Sequence, residues 1–210
     1  MSAVLEPRTT ATADPVTTGR RRGFQSGARE IDAAPLRVEG RLPDWLRGRL
    51  LLNGPALWEL PRRPLEHWFD GLAMLHRLQI GPDGVLYRSR FARSQSYIQA
   101  MATGAPATAE FDTSSPASLW TRLKGAPVTD NPAVVMSRVG AAWIAVTETP
   151  TLTRFDPDTL ETTGPLPIED DVGIQLMAAH GFTDDAGNYW NVGTRLGPKC
   201  DVKLFRLRPG

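Results

Sequence analysis

The sequence predicts an all-β fold on three observations. Short apolar runs recur along the chain, separated by tight turns of Gly, Asp and Pro. Residues 72–91 read as one long hairpin. A strand running into a turn occurs at Arg154-Phe155-Asp156-Pro157 and again at Phe205-Arg206-Leu207-Arg208-Pro209, about 50 residues later. Recurrence at that distance is what successive propeller blades give, and it favours a propeller over a sandwich.

Taken in order, residues 1 to about 30 are rich in Thr, Ala and Arg and read as a flexible tail. Residues 38–48 form a lead-in punctuated by glycines and a proline. Arg49 to Asn53 is an apolar run too short for a helix, so it reads as a buried strand stopped by Gly54-Pro55. His67-Trp68-Phe69-Asp70-Gly71 packs two aromatics, an imidazole and a carboxylate in front of the hairpin. In the hairpin, Val85, Tyr87, Ser89 and Phe91 alternate with Leu86, Arg88 and Arg90 across a Gly81-Pro82-Asp83-Gly84 turn. Residues 100–117 read as a loop, and Ser118 to Lys124 as two turns of amphipathic helix. Ala133–Ser137 and Ala142–Glu148 are expected to pair across Val139-Gly140, with Thr151–Phe155 as a third strand. Leu176–Phe182 and Asn188–Thr194 are expected to pair next, followed by Val202–Leu207.

Composition narrows the function. A hydrophobic content of 41% and a charged content of 22% are those of a soluble globular protein. The 24 basic and 23 acidic residues nearly cancel, which gives no reason to expect a nucleic-acid partner. A single cysteine, Cys200, rules out an internal disulfide and reads as an inert thiol in a reducing compartment. Arg20-Arg21-Arg22-Gly23-Phe24 superficially resembles a twin-arginine export signal, but no apolar segment follows it. No apolar run approaches the ~18 residues of a spanning helix. The expected compartment is the cytoplasm.

Few residues offer chemistry. There is no nucleophile elbow, phosphate loop, cysteine zinc site or catalytic carboxylate pair. The histidines are His67, His76 and His180. From the residues alone, His67 reads as locally hydrogen-bonded, with Asp70 a candidate partner, and His76 as a half-buried strand residue. His180 stands in an apolar stretch, Met177-Ala178-Ala179-His180-Gly181-Phe182. A buried imidazole there would need its nitrogens satisfied by hydrogen bonds or by a metal. Glu148 ends an apolar strand and reads either as a residue facing water or as a carboxylate that orients a metal-bound imidazole.

Several motifs together resemble the carotenoid cleavage oxygenase family, particularly the animal-type β-carotene oxygenases and the related retinal-pigment-epithelium isomerohydrolase. They are residues 40–48 (GRLPDWLRG), 52–55 (LNGP), 67–76 (HWFDGLAMLH), 87–91 (YRSRF), 129–131 (TDN), 147–149 (TET), 155–162 (FDPDTLET) and 179–180 (AH). The resemblance covers residue 36 or so to the end. It implies a seven-bladed β-propeller with a non-haem iron(II) on its axis, held by four histidines from different blades and oriented by glutamates. On that basis His180 is the expected metal ligand and Glu148 the expected orienting carboxylate. His67 and His76 belong to the signature block and are not ligands.

The implied reaction is oxidative cleavage of a conjugated double bond in a carotenoid or apocarotenoid by dioxygen, giving aldehydes. Retinoid isomerohydrolase chemistry, or non-catalytic carotenoid or retinoid binding, are the alternatives. Peripheral membrane contact is the expected route to an apolar substrate.

Two departures qualify the match. The family usually places proline after its first ligand, whereas this chain has Gly181, which is expected to loosen the backbone there. The chain is also less than half the family's usual length. It is therefore expected to hold about three blades over residues 31–210, the N-terminal portion of a truncated propeller, with one of four ligands and no catalytic activity alone.

Overall fold

In the computed structural model, residues 25–27, 29–106, 108, 129–169 and 172–209 are described. They form three four-stranded antiparallel sheets in chain order. The first contains β1 (Ile31–Leu36), β2 (Gly48–Leu57), β3 (Leu72–Gly81) and β4 (Gly84–Phe91), ordered β1-β4-β3-β2. The second runs β5 (Val135–Val139), β6 (Ala142–Val146), β7 (Thr153–Phe155) and β8 (Thr162–Pro165) in sequence order. In the third, β11 (Tyr189–Arg195) pairs with β12 (Asp201–Leu207) on one side and with two short strands, β9 (Leu176–Met177) and β10 (Phe182–Thr183), on the other. These are three successive blades of a β-propeller, as the sequence predicts.

The hairpin forms in the expected register, Met74 opposite Phe91 through Gly81 opposite Gly84. Its alternation is real: Val85, Ser89 and Phe91 are buried while Leu86 is exposed. The recurrent strand-to-turn pattern also has a structural counterpart. Phe155 and Phe205 lie on β7 and β12, which hold equivalent places in the second and third sheets. In the first of these turns, Asp156 Oδ1 accepts from the backbone N–H groups of Asp158 and Thr159, each at 2.8 Å. Those two donors, Thr159 foremost, hold the Asp156 carboxyl below its ordinary range.

Several local expectations are corrected. β1 is a strand that the sequence did not suggest; it lines the outer edge of the first sheet, bonded to β4. β2 does not stop at Gly54-Pro55 but runs through them to Leu57, with a register shift after Pro55. β2 is an edge strand, where a missing proline N–H costs no ladder bond. The region expected to loop from residue 100 begins instead inside a helix, α1 (Gln95–Thr103). Ser94 caps its first turn by accepting from the Tyr97 N–H, and Gly104 ends it at φ 73°. β8 is likewise additional, and the expected single strand Leu176–Phe182 is broken at 178–181. The expected helix at 118–124 lies outside the described residues. The expected tail is described from residue 25, and there Glu30 already accepts from the Phe91 N–H at 2.9 Å.

Three apolar clusters hold the sheets. Trp58, Leu60, Leu65, Leu72, Met74 and Phe91 pack with Tyr97 and Ala100 of α1. Ala73, Leu75, Ala145, Phe155 and Leu160 join the first sheet to the second. Ile144, Val146, Leu152, Ile174, Met177 and Tyr189 join the second to the third. Each fully buried large aliphatic side chain contributes about 1.5–3 kcal/mol, so these seams dominate the order of the sheets.

Candidate metal centre

Two places invite a functional reading: the histidine–aromatic block at 67–71 and the histidine at 180. The first turns inward on itself. Trp68–Asp70 form a single 3₁₀ turn, and His67 caps it, Nδ1 accepting from the Phe69 N–H at 3.2 Å. Asp70 is tied back to the same residue, its N–H donating to the His67 carbonyl at 3.1 Å. Asp70 itself is fully buried. Gly71 lies against Trp58 so closely that an added Cβ would sit 2.6 Å from that ring and 2.8 Å from Pro55 Cβ. Asn131, also buried, donates to the Gly71 carbonyl and accepts from the Ala73 N–H, both at 2.9 Å. The block is a lock that seats β3.

His76, further along β3, is half-buried and directed at Tyr87. Its Nδ1 lies 2.7 Å from the Tyr87 hydroxyl and the two rings stack. Burial pushes its pKa below the ordinary imidazole value. It is a satisfied sheet residue.

His180 is placed differently. Residues 178–181 interrupt the strand that would otherwise pair along all of β11. The imidazole at this break is exposed, which corrects the expectation of burial drawn from its apolar neighbours. The backbone around it is tied down. The Ala178 N–H donates to the Val192 carbonyl at 2.8 Å, and Asn191 Nδ2 donates to the Ala178 carbonyl at 2.7 Å. Gly181 rests on the Tyr189 ring, where an added Cβ would overlap the ring carbons. The glycine is therefore a close-approach residue and does not loosen the chain there.

Glu148 is exposed just beyond β6, and Thr147 Oγ1 donates to its Oε2 at 2.8 Å. The Glu148 carbonyl accepts from the Met177 N–H at 2.8 Å. A single backbone bond thus couples the end of the second sheet to the segment three residues before His180. Among the described residues, no group of three or more His, Cys, Asp or Glu side chains gathers to hold a metal ion. An imidazole and a carboxylate are both donors that iron accepts, and a complete coordination sphere would need further ligands.

Sequence reasoning missed Tyr189 and Asn191, which shape this segment. Nothing near His180 signals them, because they act across a strand pair from a position up to thirteen residues away.

Comparison with known proteins agrees with this architecture. The family model of the retinal pigment epithelial membrane protein matches residues 24–210. β,β-Carotene 15,15′-dioxygenase of Mus musculus is 32% identical over 195 residues, covering 87% of this chain and 34% of the relative. The Gallus gallus enzyme of the same name is 33% identical over 182 residues, covering 81% and 35%. The chain thus spans about a third of the length of the curated relatives it matches.

Among solved structures, a Synechocystis apocarotenoid oxygenase with a Glu-to-Asp substitution superposes with a TM-score of 0.74 at 28% identity. The cobalt-substituted form of the Synechocystis oxygenase gives 0.72 at 30% identity. Each comparison covers 90% of this chain and 41% of the other. Among the described residues, no helix is long and apolar enough to cross a membrane. With the motifs, the blades and the relatives in agreement, the chain belongs to the retinal pigment epithelial membrane protein family, that of the carotenoid oxygenases.

Proposed function

We propose that this chain supplies one ligand, His180, to the non-haem iron(II) centre of a carotenoid or apocarotenoid cleavage dioxygenase. The observation that carries the reading is the exposed imidazole in the break between β9 and β10 of the third sheet, coupled through Met177 to the Glu148 strand end. The remaining ligands would come from sequence beyond these 210 residues, in line with the one-third coverage of the relatives.

His180 would hold the metal as a neutral imidazole, and Glu148 would orient a metal-bound imidazole by accepting its second ring N–H. Dioxygen activation for scission of one conjugated double bond into two carbonyl fragments is the chemistry such an iron supplies when bound. The protein's part is to hold the imidazole on a fixed backbone and to keep the polyene away from water. Substrate access from a membrane surface belongs to the same reading.

The test is a carotenoid cleavage assay on the protein that contains this segment, with His180→Ala beside the parent. Aldehyde products that disappear in the variant support the proposal. Aldehydes formed equally well without His180, or retinol released from a retinyl ester instead, would overturn it.

A further inference from the structure

Behind His180 lies a buried phenol that the proposed chemistry does not use. Tyr189 has no solvent exposure. Its hydroxyl accepts from Asn191 Nδ2 at 2.9 Å and from the backbone N–H of Gly181. Burial raises its pKa above the ordinary phenol value, while those two donors pull the other way. Asn191 Nδ2 also donates to the Ala178 carbonyl, and Asn191 Oδ1 accepts from the Val192 N–H at 2.7 Å. Tyr189 and Asn191 therefore grip the backbone on both sides of His180, at 178 and at 181.

The grip depends on glycine. Any Cβ at 181 would overlap the Tyr189 ring, and a proline there would remove the N–H that reaches the phenol. A proline fixes its backbone covalently through φ. Here the same segment is fixed non-covalently, by a ring beneath a glycine and a hydroxyl on its amide.

We propose that Tyr189 is a positioning residue for His180, acting with Gly181 as a matched pair that takes the place of a proline after the ligand. The link to metal binding rests on the assignment of His180 made above. The pair also couples the ligand segment to the core, because the same ring packs among Ile144, Val146 and Leu152 of the second sheet.

Two variants separate the parts. Tyr189→Phe keeps the ring and removes the hydroxyl. Hydrogen exchange of the Gly181 amide should then speed up by about fivefold to tenfold, the loss of one hydrogen bond, with β12 amides unchanged. In the same variant, the cobalt(II) concentration that half-broadens the His180 imidazole resonances should rise at least twofold. Gly181→Ala should weaken folding through the overlap, and should do so by less when Tyr189→Val has already vacated the space.

Unchanged exchange at Gly181 in Tyr189→Phe would overturn the clamp, as would a Gly181→Ala cost that is the same with and without Tyr189→Val. An unaltered cobalt response with faster exchange would remove the positioning role. The assignment of His180 is judged separately by His180→Ala. Cobalt broadening indifferent to that change sinks the ligand reading, while amide exchange and the double variant still decide the clamp.

Discussion

The 67–73 block and the 178–193 segment are built from the same parts and end in opposite states. Each presses a glycine against an aromatic ring, Gly71 on Trp58 and Gly181 on Tyr189. Each uses a buried asparagine to hold main chain that leaves the regular ladder, Asn131 at 71 and 73, Asn191 at 178. In the first, the imidazole folds back to cap its own turn. In the second, the imidazole stands exposed at a strand break. The density of chemically capable residues is thus a poor guide to which imidazole stays exposed. What distinguishes the candidate site is an imidazole left over once the local backbone has been satisfied by other groups.

The strongest way to break this parallel is to remove the asparagines. Asn131→Leu leaves the Gly71 carbonyl and the Ala73 N–H buried without partners and should cost about 3 kcal/mol in urea denaturation. Asn191→Leu should cost less, about 2 kcal/mol, because Ala178 and Val192 are exposed and water can replace their lost partner, which leaves only the buried Tyr189 hydroxyl deprived. Equal losses would show that the two clamps do the same structural work. Gly71→Ala comes next, at about 2 kcal/mol from overpacking against Trp58, read from the shift in denaturation midpoint at constant m-value.

The histidines sharpen the contrast further. His67→Ala should cost about 1 kcal/mol by uncapping the 3₁₀ turn, and leave any cobalt response intact. His180→Ala should change stability by less than about 0.5 kcal/mol and abolish that response. Reversal of this pattern would move the metal to the signature block.

The smallest effect concerns pH. The folded-state pKa of Asp156 lies below the ordinary carboxylate value, so its contribution to stability is present above that value and is lost as pH falls through the depressed one. Asp156→Asn should flatten the acid limb by lowering the melting temperature near neutrality while leaving it unchanged at low pH, where the parent carboxyl is protonated too. A variant that melts with an unchanged acid slope would mean the turn bonds are equally good in both protonation states.

The parts of the fold that could be read from sequence are those governed by neighbours along the chain. The β3–β4 hairpin declares itself by alternation and by a proline–glycine turn, and both survive in the structure. α1 carried its signals too, with Ser94 and Gly104 at its ends, but from residue 100 its Ala- and Thr-containing end reads as loop. β1 has no periodic signature: Ile31–Leu36 contains Pro35, and Ala33 takes a positive φ of 55°. It is a strand because β4 offers it an edge.

The break at 178–181 was invisible for the same reason. Met177 to Phe182 looks like an uninterrupted apolar strand, and the residues that interrupt it, Tyr189 and Asn191, lie on the partner strand. Family likeness located His180, but its exposure came only from the structure.

The interruption has a bearing on solubility as well. A continuous free strand is a row of unused amide and carbonyl groups that another chain can zip onto. The β9–β10 edge of the third sheet offers only two residues at a time, Leu176–Met177 and Phe182–Thr183, with a clamped detour between them. An invading strand would lose register at the detour after one or two bonds. The geometry that presents an imidazole on this edge therefore also discourages edge-to-edge assembly there.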